Sequence, residues 1–72
     1  MFTNLENLLS QKNLSFKDYA KFLDVAEKTT YNKLKGKSEF TLKEVLKTAD
    51  FLFPEYKIDY IFKEDTQPHH TQ

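Results

Sequence analysis

Apolar residues recur at three- and four-residue intervals wherever this chain is long enough to show a period, and each such run is soon cut off by a polar stop. Leu5, Leu8 and Leu9, with Phe2 ahead of them, predict a first helix over residues 3 to 12, ended by Asn13 and Leu14. Ser15 followed by Asp18 has capping-box spacing, with Asp replacing the more usual Glu, and predicts a second helix from Phe16 to about Leu23. Asp24 then falls where the chain must turn sharply, and Asp tolerates the left-handed conformation better than most residues. After Val25 and Ala26, "EKTTYNKLK" predicts a third helix closed by Gly36, the only glycine, with Lys33 and Lys35 suited to the negative end of its dipole. Thr41 with Glu44 is a full capping box, and Leu42, Val45, Leu46, Ala49, Leu52 and Phe53 supply the stripe of a fourth helix that Pro54 stops. Period alone does not separate strand from helix for Tyr56, Ile58, Tyr60, Ile61 and Phe62. A lone strand would have no mate in a helical chain, so a short fifth helix around residues 57 to 62 is expected.

These elements describe an all-α, five-helix domain over residues 1–62 and a polar tail, "KEDTQPHHTQ", over residues 63–72 that is expected to be disordered. The stripes fit together if Leu5, Leu9, Ala20, Leu23, Val25, Leu34, Val45, Leu46, Ala49 and Ile61 share one core. Seven Phe and four Tyr are more than so small a domain can bury fully. Tyr19, Phe40, Phe51, Phe53 and Phe62 are expected inside; Phe16, placed on the side away from Ala20 and Leu23, and Tyr31, out of phase with Thr30 and Leu34, are expected outside.

The chain has no cysteine, so it offers neither a disulfide framework nor a thiolate metal site. It has no long apolar run and no basic region leading into one at the N-terminus, so a soluble, intracellular protein is expected, with no membrane partner. His69 and His70 are adjacent in the tail and lack the further ligands of a tetrahedral shell. No nucleophile, base and orienting group recur together and no glycine-rich phosphate loop is present, so neither an enzyme, a cofactor nor a small-molecule substrate is expected. Eleven lysines balance eleven acids and there is no arginine, whereas a domain that lives on DNA usually carries a basic excess. The charge is uneven: residues 16 to 37 hold six lysines against Asp18, Asp24 and Glu27, while residues 55 to 72 hold four acids against two lysines.

The segment "LSFKDYAKFLDVAEKTTYNKLKGKSEFTL" resembles the helix-turn-helix of the Cro and lambda-repressor class of phage regulators, and the resemblance extends over residues 3 to 62. Ala20 falls at the small-residue position where the two helices meet, Val25 at the apolar plug of the turn, Leu34 at the buried position near the end of the recognition helix, and Gly36 and Lys37 at the start of the loop that follows. The resemblance implies a lambda-repressor-like fold and base-reading positions at Glu27, Lys28, Tyr31 and Asn32, while Phe16 falls where the class often has a glutamine that bonds phosphate. This chain departs from that pattern in one direction. Phe16 can donate nothing to a phosphate, Glu27 meets phosphate with like charge, Asp24 replaces the usual turn glycine, and Ala26 replaces the usual hydroxyl cap.

The length, net neutrality and altered recognition helix also resemble the modulator-of-repression proteins, antirepressors of lactococcal-type temperate phages that act in the bacterial cytoplasm. That resemblance implies a protein partner, the DNA-binding domain of a phage repressor, held by Phe16, Glu27, Lys28, Tyr31, Asn32 and Lys35 so that the repressor cannot engage its operator. Aromatic anchors with charges of both signs are the composition of a protein interface. The alternative is a Cro-like operator binder, with Lys28 and Asn32 reading guanine and adenine from adjacent turns and Lys17, Tyr31 and Lys37 beside them. A third reading is a domain whose main role is self-association.

Overall fold

The computed structural model describes residues 1–65, and within them the chain forms α1 (Thr3–Gln11), α2 (Phe16–Leu23), α3 (Glu27–Leu34), α4 (Leu42–Lys47, continuing through a π-helical turn over Thr48–Leu52) and α5 (Ile58–Ile61), with no strand among the described residues. The expected five helices are all present.

The same backbone device closes each of the first three helices. Asn13, Asp24 and Gly36 take positive φ angles of 59°, 63° and 84°. After α2 the Asp24 N–H donates to the Lys21 carbonyl at 3.2 Å and the Val25 N–H to the Ala20 carbonyl at 3.1 Å; after α3 the Gly36 N–H reaches Lys33 at 3.2 Å and the Lys37 N–H reaches Asn32 at 2.8 Å. These are Schellman closures, which satisfy the last carbonyls of a helix and reverse the chain in few residues. Only Gly36 adopts the left-handed conformation without a steric penalty.

The two capping boxes form as the sequence predicts. Ser15 and Asp18 exchange hydrogen bonds of 3.1 and 3.0 Å at the start of α2, and Thr41 and Glu44 exchange bonds of 3.1 and 2.9 Å at the start of α4. By contrast, Ala26 caps α3 with no side-chain hydrogen bond.

Leu5, Leu8 and Leu9 of α1, Tyr19 and Leu23 of α2, Leu34 of α3, Ala49 and Phe53 from the α4 segment and Ile61 of α5 form one buried cluster, with Val25 partly buried against it. Ala20 is buried as well. The Tyr19 hydroxyl lies 2.7 Å from the Thr48 hydroxyl inside this core, and burial holds its phenol far above the ordinary range, so it stays neutral.

Three residues leave the expected core. Leu42, Leu46 and Phe51 are 74%, 42% and 73% exposed. The inward face of α4 is instead set by Glu44, Thr48, Ala49 and Phe53, all buried, with Val45 and Leu52 partly so. Glu44 takes an interior position because it pairs with Lys33, and this turns Leu42 and Leu46 outward. At the π turn the Phe53 N–H bonds to the Thr48 carbonyl, five residues back, at 3.2 Å. The wide turn keeps Phe53 inside and sends Phe51 to solvent.

The two ends of the described segment meet beside α3. The Phe2 N–H donates to the Leu34 carbonyl at 3.0 Å, the Asp65 N–H donates to the Met1 carbonyl at 2.8 Å, and the Thr3 hydroxyl donates to the Asp65 carboxylate. Phe2, Phe40 and Phe62 pack edge to face around this junction, with centroids 5.0 to 6.1 Å apart. Residues 63 to 65, expected in the tail, are therefore held against the N-terminus by these bonds; the remainder of the tail, with His69 and His70, lies outside the described residues.

Candidate partner interface on the third helix

Helix α3 presents its residues in rows. Glu27, Tyr31 and Lys35 succeed one another at four-residue steps along one row, and Lys28 and Asn32 occupy the next. Glu27, Lys28 and Tyr31 are exposed, Tyr31 by 45%, and Asn32 is half-buried. Lys17, at the start of α2, and Lys37, just past Gly36, are also exposed, but both lie off the helix.

Phe16, expected outside, is not a free aromatic. It is partly buried and packed against the core cluster. The reason is geometric: Phe16, Ala20 and Leu23 stand at the i, i+4 and i+7 positions of one helix, which share a face. Its outer edge meets Tyr31, with ring centroids 6.2 Å apart. Tyr31 is thus supported from below by a ring anchored in the core.

Lys35 crosses both rings. Its Nζ lies 5.8 Å from the Phe16 centroid and 5.6 Å from that of Tyr31, and it reaches the two carboxylate oxygens of Glu6 on α1 at 3.4 and 3.3 Å. The cluster is Phe16, Tyr31, Lys35 and Glu6, drawn from three helices. Glu6 carries no local signal of this role in the sequence, since it lies 29 positions from Lys35.

The inner side of α3 is anchored separately. Lys33 Nζ sits 2.7 Å from Glu44 Oε1 and donates to the Glu39 carbonyl at 3.1 Å. Burial pushes the Glu44 carboxyl upward, but the hydrogen bond from Lys33, the Thr41 backbone N–H and the Lys33 charge outweigh it, and the group titrates below its ordinary value. Of the six lysines in residues 16 to 37, Lys33 and Lys35 are therefore each committed to an internal acid, leaving Lys17, Lys21, Lys28 and Lys37 against the exposed Asp18, Asp24 and Glu27. The expected surplus of three shrinks to one.

No family model, curated protein or solved structure matches this chain. What the site can do must follow from its own chemistry. No helix among the described residues is long and apolar enough to cross a membrane, and no group of three or more metal-binding side chains is assembled among them. A nearly neutral helix surface with a braced, half-exposed tyrosine and an acid at its first position is suited to burying apolar area against a protein and poorly suited to neutralising phosphates.

Proposed function

We propose that α2 and α3 form a helix-turn-helix of the Cro and lambda-repressor type, and that this protein is a phage-type switch regulator whose α3 surface binds the DNA-binding domain of a repressor and keeps it from its operator. The observation that carries this is the loss of Lys33 and Lys35 to internal ion pairs, which leaves the outer surface of α2 and α3 with almost no basic excess. Three further features support it. The tight left-handed turn at Asp24 sets α2 and α3 close together, Ala20 is buried, and Leu34 is fully buried. Glu27 opens α3 where a groove-binding domain would offer a lysine or arginine to meet it. Tyr31, braced by Phe16, is a rigid aromatic anchor of the kind that dominates interface energetics.

The decisive experiment mixes the full chain with the repressor DNA-binding domain from the same locus, follows complex formation by native mass spectrometry, and measures release of fluorescent operator from the repressor. A stable complex that frees operator is expected. DNA binding by the protein alone should be weak, with a salt slope no steeper than about −4, because Lys17, Lys21, Lys28 and Lys37 are the lysines of this surface that form no ion pair among the described residues and can release counterions. Nanomolar, sequence-selective operator binding without the repressor would overturn the proposal and identify a Cro-like repressor, with Lys28 and Asn32 choosing the bases.

A further inference from the structure

A cavity of about 390 Å³ opens beside the junction of Phe2, Phe40 and Phe62, between the loop that follows α3 and the segment that follows α5. Its volume lies toward the small end of ligand-sized pockets, which run from about 300 to 1,000 Å³.

The walls are aromatic. The planes of Phe2 and Phe40 meet at 81°, and Phe62 meets each of them at 73°. Rings set in this way stand as walls near right angles instead of a flat stack, which is how aromatic side chains box in a cation. Phe40 already serves one cation of the fold: Lys33 Nζ lies 5.8 Å from its centroid, and that charge is matched internally by Glu44.

The rim is acidic. Glu39 and Glu64 both line the cavity and both are exposed. Glu39 forms no ion pair among the described residues, and Glu64 meets no cation there more closely than the Met1 amino group, at 4.0 Å. Lys37 and Lys63 neighbour the cavity in sequence, but neither lines it. The buried polar residues Thr30, Lys33, Glu44 and Thr48 do not line it either, so its floor offers nothing to orient a polar small molecule from within.

An aromatic interior beneath two carboxylates suits a side chain with a long apolar stem and a cationic head. Arginine matches it better than lysine, because the planar guanidinium stacks on rings and donates to carboxylates through a fixed fork. This chain contains no arginine, so neither its own tail nor a second copy supplies one. We propose that the cavity receives an arginine side chain of a partner protein, its stem against Phe2, Phe40 and Phe62 and its guanidinium between Glu39 and Glu64.

The test is a titration of the full chain with N-acetyl-arginine N-methylamide, followed by NMR of the phenylalanine rings and the backbone amides at low salt. The citrulline counterpart, of nearly the same shape but uncharged, is the control, and circular dichroism verifies folding of each variant. The arginine probe should shift Phe2, Phe40 and Phe62 with a dissociation constant of roughly 1–10 mM, the range open to a single side chain, and the citrulline probe should bind at least about fivefold more weakly. Because both glutamates are exposed, E39Q/E64Q should stay folded and lose that preference, and Phe40→Leu should weaken the arginine probe about threefold or more. Absence of shifts at these residues up to about 50 mM probe overturns the proposal. So does equal binding of the two probes, or an undiminished preference for arginine in E39Q/E64Q. Ring shifts that follow protein concentration without any probe would seat a second copy in the cavity and likewise overturn it. None of these measurements involves a repressor, so they stand or fall independently of the function proposed for α3.

Discussion

Lys33 of α3 and Glu44 of α4 face each other across the interior at 2.7 Å, and both are buried. The pair links the inner side of α3 to the capping box of α4, because Glu44 also accepts from the Thr41 N–H. Removing one member leaves the other charged and buried, so Glu44→Gln or Lys33→Met should destabilise the fold by about 3–5 kcal/mol. The folded-state pKa of Glu44 lies below its ordinary 4.5. Its contribution is therefore fully present above pH 4.5 and is lost as pH falls through the lower folded-state value. Asp18 adds to the same trend, lowered by the Ser15 backbone and side-chain hydrogen bonds. Urea midpoints measured from pH 7 down to about pH 3 should fall on the acid side, and the fall should be shallower in Glu44→Gln.

Asp24 occupies a conformation that glycine adopts more easily, and Ala26 leaves α3 without a side-chain cap. Asp24→Gly should stabilise the domain by up to about 1 kcal/mol. Ala26→Ser should add about 0.5–1 kcal/mol by offering an oxygen to the first turn of α3. Gly36→Ala should do the reverse, since its φ is positive and the new Cβ would come within 3.1 Å of a Glu64 oxygen. Thermal melts of the three variants will check these signs; stabilisation by Gly36→Ala would contradict the closure described for α3.

Thr30 is fully buried in α3 and its hydroxyl has no hydrogen-bond partner among the described residues. Valine has the same shape without the polar atom. Thr30→Val should leave stability unchanged or raise it by about 1 kcal/mol, while leaving repressor binding intact. A lowered melting midpoint would mean that the hydroxyl is bonded in solution.

Charge reversal of Glu27 to Lys should slow association with the repressor domain, because an exposed rim charge steers encounter. Tyr31→Ala should speed dissociation by removing the braced anchor, with Phe16→Ala acting partly through loss of its support. Biolayer interferometry of the three variants separates the two rates. If all three still release the repressor from operator as well as the parent does, the interface lies elsewhere.

Local chemistry made the helix boundaries legible in the sequence. Ser15 with Asp18, Thr41 with Glu44, and Asp24 and Gly36 at the closures are all short-range signals, and each takes the predicted role. The phase of the faces was harder to read. Phe16 packs on the core side of α2, as its helical spacing to Ala20 and Leu23 requires and contrary to the expected exposure, and Phe51 leaves the expected core because nothing local in the sequence marks a π turn. The ion pairs of Lys33 with Glu44 and Lys35 with Glu6 join residues 11 and 29 positions apart, so the charge left on the α3 surface depended on packing that no window of sequence contains.

The turn over Thr48–Leu52 has a bearing on how this chain should be aligned with others. A turn closed five residues back uses one residue more than an α turn of the same angular reach. Lined up without a gap against an uninterrupted fourth helix, this chain slips by one position from Thr48 onward, and Phe53 and Ile61 are matched to the wrong columns. Allowing a single-residue insertion there restores the correspondence of buried positions through α5.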